Sequence, residues 1–406
     1  MQRFGLLGES LKHSYSPIIH AGFGDYEYKL YEKRPEELDL FFTQGEFDGL
    51  NVTIPHKTAV LKYCSSMSEA ARTIGSVNTI IKQNDGTYYG DNTDYFGFLY
   101  LLKKTGIDIK GEKVLILGSG GSSLTVRAVL KDEGAGQITV ISRNGTDNYN
   151  NIRSHSDTVM IVNTTPVGMY PHNGVSPIED LSCFKKCKIV IDLIYNPCIT
   201  QLMFQAESCG IPSVSGLSML VAQAKRSAEH FLRSDIHDAK IEELTAKINE
   251  QTQNIILIGM PGCGKSTTGK LLAKKMNKKF ADTDSIIEEK TGKTAAEIIT
   301  KDGEEAFRKL ETEALKELCK QSSIIIATGG GAVTRPENLN IMRQNGKIVY
   351  LEREISQLPT AGRPLSEKDG LENLAAKRIP LYEKWSDITI ESITPEKAAK
   401  EIIKQA

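Results

Sequence analysis

The sequence has no excess of charge of either sign and no apolar run long enough to cross a membrane. Lysine and arginine together number 50, against 51 aspartates and glutamates, so the formal net charge at pH 7 is only -1. Binding to nucleic acid phosphates requires a basic surface, which this balance does not indicate. The composition therefore predicts small-molecule partners, with neither nucleic acid nor membrane among them.

Cysteine is also sparse and irregularly placed. The seven cysteines are an odd number and are scattered from Cys64 to Cys319, so they do not form a disulfide framework. Cys183 and Cys187 lie close together but lack a second pair or a nearby histidine that would complete a zinc site. We expect reduced thiols and, since the N-terminus leads directly into an apolar strand, a cytoplasmic enzyme. The sequence gives no indication of oligomeric state.

The length predicts more than one domain. A chain of 406 residues exceeds one ordinary hydrophobic core, while its 40% hydrophobic and 25% charged residues are typical of globular proteins. No stretch rich in glycine, proline or serine marks a flexible linker in residues 236–253. We therefore expect two domains joined by a short junction.

A phosphate-binding loop divides the chain. Gly259 to Thr267 fits the pattern of a glycine, four residues, then Gly-Lys-Ser. The apolar strand Asn254–Ile258 precedes this loop, and a helical stretch from Gly269 follows it. The glycines let backbone N–H groups converge on phosphate, while Lys265 supplies positive charge and Ser266 a hydroxyl for Mg²⁺. We expect a nucleoside triphosphate to contact Gly262, Cys263, Gly264, Lys265, Ser266 and Thr267.

Polar residues recur at strand ends in the first half of the chain. They lie in Ser14-Tyr15-Ser16, in the segment from Gly49 to Lys57, in Val77-Asn78-Thr79 and in Asn92-Thr93-Asp94. Such amide and hydroxyl groups suit a polyhydroxylated ligand. Asx turns explain the same residues equally well at this stage.

A dinucleotide-binding pattern begins at the strand Val114–Leu117. The following loop, Gly118 to Ser123, has two fingerprint glycines and opens a helix, so a pyrophosphate is expected at that helix N-terminus. The next strand, Gln137–Ile141, is followed by Ser142 and Arg143, where an NAD site would present a carboxylate. Arginine favours the 2′-phosphate of NADP, although an exposed loop arginine is the alternative.

Together these motifs resemble shikimate dehydrogenase over roughly residues 1–247. The order and spacing of the serine, lysine, asparagine and aspartate motifs match that family, as does Gly216 to Ala224. The resemblance implies a substrate part at about 1–97 and 225–247 and an NADP-binding part at about 98–224.

The same resemblance implies individual roles. Lys57 and Asp94 would form the catalytic pair that protonates the oxygen of 3-dehydroshikimate as NADPH delivers hydride. The implied substrate ligands are Ser14, Ser16, Thr53, Asn78, Tyr195 and Gln223. The implied cofactor ligands are Glu69, Gly118, Ser119, Gly120, Gly121, Ser122, Ser142, Arg143, Leu193, Gly216 and Met219.

The second half resembles shikimate kinase over residues 253–406, after a junction at 248–252. The resemblance rests on the phosphate loop, Asp282-Thr283-Asp284, Phe307-Arg308 with Glu311, Gly329-Gly330-Gly331 and the arginine motifs around residues 363 and 378. It implies that Asp284 is the base and that Lys265 and Arg363 stabilise the transferring phosphoryl group. By the same resemblance the triphosphate is ATP, which Arg363 would also contact, and Ser266 with Asp282 would hold Mg²⁺. The implied shikimate ligands are Asp284, Arg308, Gly330 and Arg378.

The whole sequence predicts an α/β protein in which an α/β substrate domain and a Rossmann-like NADP domain precede a P-loop kinase with a parallel sheet. The two resemblances together imply a bifunctional enzyme that reduces 3-dehydroshikimate to shikimate and then phosphorylates shikimate. Two alternatives remain: one half is inactive and kept for binding or regulation, or the dehydrogenase uses quinate and NAD. The segment 350–363 is shorter than the usual kinase lid, which leaves nucleotide selectivity open.

Overall fold

Three open sheets form the framework of the chain, in a computed structural model that describes residues 2–11, 14–359 and 370–405. Contacts group the residues into two compact units. The first holds the chain up to Met169 with Val175–Tyr195 and Thr200–Ile248, and the second holds Tyr170–Gly174, Asn196–Ile199 and the chain from Asn249 onward.

The first sheet has six short strands: β1 Arg3–Gly8, β2 Glu27–Glu32, β3 Gly49–Val52, β4 Ser66–Met67, β5 Thr79–Lys82 and β6 Tyr88–Asp91. Their order is β2-β1-β3-β5-β6-β4, and β5 runs antiparallel to both β3 and β6. Nearly every residue of β1 and β3 is buried, as expected for central strands covered on both faces. The accompanying helices are α1 Ser16–His20, α2 Leu38–Gln44, α3 Glu69–Ile74 and α4 Thr93–Lys104.

The second sheet is entirely parallel. Its strands are β7 Lys113–Leu117, β8 Gln137–Ile141, β9 Met160–Asn163, β10 Ile189–Asp192 and β11 Ser213–Ser215, in the order β11-β10-β9-β7-β8. Apolar clusters cover both of its faces. Helices α5 Gly121–Asp132, α6 Gln201–Ser208, α7 Leu217–Leu232 and α8 Ala239–Thr252 complete this part of the chain. The sheet order and the helix after β7 confirm the expected Rossmann-like arrangement.

Helices α4 and α7 connect the two sheets of the first unit. They cross closely at Gly97, where an added Cβ would lie 2.7 Å from the carbonyl oxygen of Met219. Only glycine allows this approach, which brings Asp94 on α4 near the residues at the start of α7. Helix α8 ends at Thr252, one residue before the next strand, so residues 248–252 form its last turn.

The third sheet belongs to the second unit and is also parallel. Its strands are β12 Asn254–Ile258, β13 Lys279–Asp282, β14 Ile324–Ala327, β15 Gly346–Glu352 and β16 Ile388–Glu391, in the order β13-β14-β12-β15-β16. Its helices are α9 Lys265–Met276, α10 Thr283–Thr291, α11 Ala295–Asp302, α12 Glu304–Lys320, α13 Glu337–Arg343, α14 Leu371–Trp385 and α15 Pro395–Gln405. This is the predicted P-loop architecture. Across the described ranges, every helix is too short or too polar to span a bilayer.

Candidate active sites

The first candidate site centres on an ion pair between Lys57 and Asp94. Lys57 follows β3, where its carbonyl oxygen accepts a hydrogen bond from the Val77 N–H at 2.9 Å, and Asp94 lies in the first turn of α4. The Lys57 Nζ donates to Asp94 Oδ2 at 2.5 Å. Both side chains remain partly exposed, so a ligand can reach them.

The pair opens into a cavity of about 440 Å³. All six residues predicted to bind the substrate line it: Ser14, Ser16, Thr53, Asn78, Tyr195 and Gln223. Among the described residues, Lys57 and Asp94 are the charged members of this lining. The structure thus brings together segments that are far apart in sequence, in a pocket of hydroxyl and amide groups around one ion pair.

Backbone and side-chain contacts fix the amides of this cavity. The Oδ1 of Asn78 accepts from the Thr93 N–H at 2.7 Å, and Gln223 Nε2 donates to the Leu220 carbonyl at 2.8 Å. Asn51, which sequence reasoning did not assign, also lines the cavity and donates to Ser227 Oγ at 2.9 Å. The sequence does indicate this position, because side chains two residues apart in a strand point to the same side, and Asn51 is two residues before Thr53.

A second, smaller cavity of about 130 Å³ shares Lys57 and Asp94 with the first. It reaches the N-terminal turn of α5 and includes four predicted cofactor residues, Ser122, Leu193, Gly216 and Met219. At Gly216 an added Cβ would lie 2.1 Å from the Leu193 carbonyl oxygen, so a side chain would displace the loop. The ion pair therefore lies where a polyol pocket and a predicted nicotinamide pocket meet.

Buried Asp192 holds the loop that carries Leu193 and Tyr195. Its carboxylate accepts from the Thr200 hydroxyl at 2.7 Å, Asn163 Nδ2 at 2.9 Å and the Ile194 N–H at 3.1 Å. Burial raises the pKa of Asp192 to about 6, and these hydrogen bonds oppose that rise. Its place at the end of β10 makes it a positioning group for both cavities.

The glycine-rich loop after β7 has the shape that a pyrophosphate requires. Gly118 has φ 100°, a left-handed conformation that favours glycine, and an added Cβ at Gly120 or Gly121 meets no other atom within 4 Å. Ser119 and Ser122 are exposed beside this open space at the N-terminus of α5. The loop therefore fits the phosphates of a dinucleotide.

The residues after β8 are the ones predicted to select the phosphorylated form of that cofactor. Ser142 is half-buried, whereas Arg143 is exposed and no carboxylate takes its position. Glu69, the remaining predicted cofactor residue, is exposed at the start of α3 and lines neither cavity. Its assignment stays a prediction.

The second candidate site is built on the phosphate loop between β12 and α9. Gly259, Gly262 and Gly264 all have positive φ, at 143°, 83° and 101°. Lys265 Nζ donates to the carbonyls of Gly259 at 2.9 Å and Met260 at 3.0 Å, which closes the loop around the space for phosphate.

Next to this loop lies an oxygen pair suited to Mg²⁺. Ser266 Oγ donates to Asp282 Oδ2 at 2.5 Å, and a hydroxyl with a carboxylate is the ligand type that this hard cation prefers. A cavity of about 310 Å³ contains both groups with Gly262, Gly264, Lys265, Thr267, Asp284 and Gly330. Cys263 differs, because it is fully buried in the hydrophobic core and does not line this cavity. Its contact with the nucleotide stays a prediction.

Asp284 lies in an acidic, mostly buried environment. Its backbone N–H donates to Asp282 Oδ1 at 3.0 Å, while its own Oδ1 is buried and without a hydrogen bond within the described residues. An added Cβ at Gly329 would lie 3.1 Å from this Oδ1 and 2.1 Å from Glu311 Oε1, so both carboxylates face the glycine loop. Burial first, and then the charges of Glu311 and Asp282, raise the pKa of Asp284 to about 6.

The two predicted carboxylate-binding arginines lie beside the same loop but do not line the 310 Å³ cavity. Arg308 contacts the Gly331 backbone closely, and Arg308 Nη1 donates to buried Glu311 at 2.7 Å. Arg378 is buried on α14. Sequence reasoning missed Glu304, which approaches both arginines. The predicted Arg363 lies outside the described residues.

Comparisons with known proteins match both parts of the chain to families. The family model for the shikimate dehydrogenase substrate binding domain matches residues 6–80, and the shikimate kinase model matches residues 261–406. The chain is 34% identical over 258 residues to the NADP(+) shikimate dehydrogenase of Clostridium perfringens strain SM101, which spans 56% of this chain and 92% of that relative.

Solved structures of dehydrogenases also align with the first part of the chain. A chorismate mutase/shikimate 5-dehydrogenase fusion protein from Clostridium acetobutylicum has a TM-score of 0.58 and 36% identity, covering 62% of this chain and 98% of that one. A shikimate 5-dehydrogenase from Thermus thermophilus, in complex with NADP(H) and shikimate, has a TM-score of 0.55 and 28% identity, covering 61% and 99%. The chain therefore belongs to the shikimate dehydrogenase family, and a shikimate kinase domain occupies its residues 261–406.

Proposed function

We propose that this chain is a bifunctional enzyme that reduces 3-dehydroshikimate to shikimate with NADPH and then phosphorylates shikimate with ATP to shikimate 3-phosphate. The observation that carries the first activity is the Lys57–Asp94 pair at the junction of two cavities, one lined by polyol-binding groups and one reaching the dinucleotide loop. The phosphate loop beside Asp282 and Asp284 carries the second.

In the reduction, the residues of the smaller cavity and the glycine-rich loop after β7 would hold NADPH, which would supply a hydride to the substrate carbonyl carbon. The carbonyl oxygen then gains negative charge and needs a proton. Lys57 donates that proton from Nζ, and Asp94 holds the amine in place and accepts from a substrate hydroxyl. Ser14, Ser16, Thr53, Asn78, Tyr195 and Gln223 orient the remaining groups of the ring.

In the phosphorylation, Asp284 accepts the proton of the shikimate hydroxyl as its oxygen attacks the terminal phosphorus of ATP. Lys265 and the backbone N–H groups of the loop stabilise the transferring phosphoryl group, and Ser266 and Asp282 would hold Mg²⁺. Arg308 and Arg378 bind the substrate carboxylate, next to Gly330. By family resemblance Arg363 adds positive charge at the phosphates.

We further propose that the dehydrogenase covers residues 1–247 and the kinase residues 253–406, and that the enzyme is cytoplasmic. The exposed Arg143 after β8 supports NADP over NAD, and therefore shikimate over the quinate alternative. Nothing in the described part of either site favours an inactive half.

Two assays on one purified sample test the proposal: NADPH oxidation with 3-dehydroshikimate, and ADP formation with shikimate. Lys57→Ala should abolish the first activity and spare the second, whereas Lys265→Ala should do the reverse, mainly through kcat. Exposed Lys62 and Lys274 serve as matched lysine-to-alanine controls and should leave both rates unchanged. Loss of both activities in folded Lys57→Ala protein, or no wild-type turnover in one assay, would contradict two independent active sites.

A further inference from the structure

A single carboxylate oxygen lies between the two arginines of the kinase site. Glu304 Oε1 accepts from Arg308 Nε at 3.2 Å and Nη2 at 2.9 Å, and lies 3.9 Å from Arg378 Nη2. Glu304 is the first residue of α12, Arg308 follows one turn later, and Arg378 comes from α14. Two helices therefore direct guanidinium groups at one anion, and that anion belongs to the protein.

The exposure of these three side chains is unequal. The arginine side chains are 6% and 5% exposed, whereas that of Glu304 is 42% exposed. Two buried cations at close range repel each other and require a counter-ion. On one edge, Arg308 Nη1 donates to fully buried Glu311. Glu304 contacts the other edge of Arg308 and can turn into solvent without losing hydration.

We propose that Glu304 is a resident counter-ion that occupies the carboxylate position of the kinase site and leaves it when the substrate carboxylate binds. The proposal rests on the proposed function, in which Arg308 and Arg378 receive the carboxylate of shikimate. Glu304 uses only one oxygen on the Nε and Nη2 edge, while a ligand carboxylate offers two oxygens to the same edge in the bidentate geometry that guanidinium favours.

This exchange gives Glu304 a role in selecting the ligand. A simple anion such as chloride or acetate must displace the glutamate to enter, and it lacks the ring contacts that compensate for the displacement. Shikimate brings those contacts with it. Glu304 therefore lowers the affinity of the site for every anion, and only a ligand that also binds elsewhere overcomes this competition.

Calorimetric titration of the full-length protein with shikimate and with its methyl ester tests the exchange. Glu304→Gln should bind shikimate about two- to fivefold more tightly, the factor expected when a partly exposed competing ion pair is removed. The methyl ester, which has no anionic carboxylate, should show no such gain. Acetate and chloride should become better competitors of shikimate in the variant.

Two further variants keep the test independent of folding. Glu305→Gln makes the same charge change at the adjacent residue, which pairs with Arg335, and should leave shikimate affinity unchanged. Glu304→Asp keeps the charge but shortens the side chain, so it should give a smaller gain than Glu304→Gln. Weaker binding of shikimate in both Glu304 variants would overturn the proposal, because Glu304 would then position the arginines. An equal gain for acid and ester would also overturn it.

A separate measurement tests whether Arg308 and Arg378 bind the substrate carboxylate. If wild-type protein binds the ester as tightly as the acid, or if Arg378→Ala leaves shikimate affinity unchanged, the arginines do not bind the substrate carboxylate. That result would refute this part of the proposed function, whatever Glu304→Gln does. If the arginines do bind the carboxylate but the removal of Glu304 does not favour the acid over the ester, the exchange fails while the proposed function stands.

Discussion

The kinase reaction should slow through about pH 6, because burial and neighbouring carboxylates raise the pKa of Asp284 to about 6. A proposed base works only when it is ionised. With this pKa about nine tenths of Asp284 is ionised at pH 7 and about one tenth at pH 5, so kcat/KM should fall about tenfold between these values. An unperturbed aspartate would lose almost nothing over the same range.

Glu311→Gln should move this decline to lower pH. Glu311 supplies the largest like-charge contribution to the raised pKa of Asp284, and its removal also leaves the positive charge of Arg308 less neutralised. Both changes favour the ionised form of Asp284. Since burial remains the main cause, we expect a decrease of about one pH unit, within the range known for nearby charges. Between pH 7 and pH 5 the variant would then lose only about half of its kcat/KM.

The assay is ADP formation at saturating MgATP and varied shikimate, in buffers of constant ionic strength from pH 5 to pH 8. Glu313→Gln removes a charge from an exposed position of the same helix, where Glu313 pairs with Lys316, and provides the control. The absolute rate of Glu311→Gln is not informative, because Arg308 loses a partner. An unchanged decline in Glu311→Gln, or an equal shift in the control, would refute the electrostatic coupling.

Three further predictions concern the bound nucleotides. Arg143→Ala should raise KM for NADPH about tenfold or more and leave KM for NADH nearly unchanged, since only NADPH loses a charge-assisted contact worth about 1.5 to 3 kcal/mol; equal effects would remove Arg143 from the phosphate site. Asp282→Asn should raise the Mg²⁺ concentration needed for half-maximal kinase rate by about tenfold, whereas an unchanged Mg²⁺ titration would exclude Asp282 as a metal-holding group. The short lid segment should give weak discrimination between ATP and GTP in competition assays, and a strong preference for ATP would show that adenine is recognised elsewhere.

Local sequence patterns were sufficient for the elements that carry the phosphates. The strand β12, the loop of glycines with positive φ and the helix α9 all follow from short-range signals, because glycine is required where φ is positive. The same holds for β7, Gly118 and α5. These elements are formed by residues adjacent in the chain, so their geometry depends little on the rest of the fold.

The larger cavity beside Lys57 and Asp94, of about 440 Å³, was predictable only through family resemblance. Ser14, Asn78 and Gln223 come from three distant segments, and no periodicity in the sequence indicates that they meet. Their convergence depends on the mixed order of the first sheet and on the close crossing of α4 and α7. The bottom-up interpretation as Asx turns was therefore equally good before the fold was known.

The ion-pair partners of the charged residues were the feature that the sequence predicted least well. Glu304 lies in a helix rich in charge, where a solvated glutamate is the ordinary interpretation. Its role depends on Arg378, which lies on another helix and reaches the same oxygen. Glu311 was visible in its motif, yet its effect on Asp284 depends on Gly329, which lets the two carboxylates approach each other.

The two proposed reactions act on the same substrate oxygen, but the first adds a proton to it and the second removes one. The rates of the two reactions should therefore respond differently to low pH. Lys57 must give a proton to that oxygen, so the reduction consumes a proton and acid does not oppose it. Asp284 must accept a proton from it, and the pKa of about 6 means that acid removes this capacity. In a coupled reaction from 3-dehydroshikimate with NADPH and MgATP, shikimate should therefore accumulate at pH 5 but be consumed at pH 7. Chromatographic measurement of shikimate and shikimate 3-phosphate over time tests this. Accumulation of 3-dehydroshikimate instead, with little free shikimate at pH 5, would mean that the reduction is the acid-sensitive step and that Asp284 does not limit the second reaction.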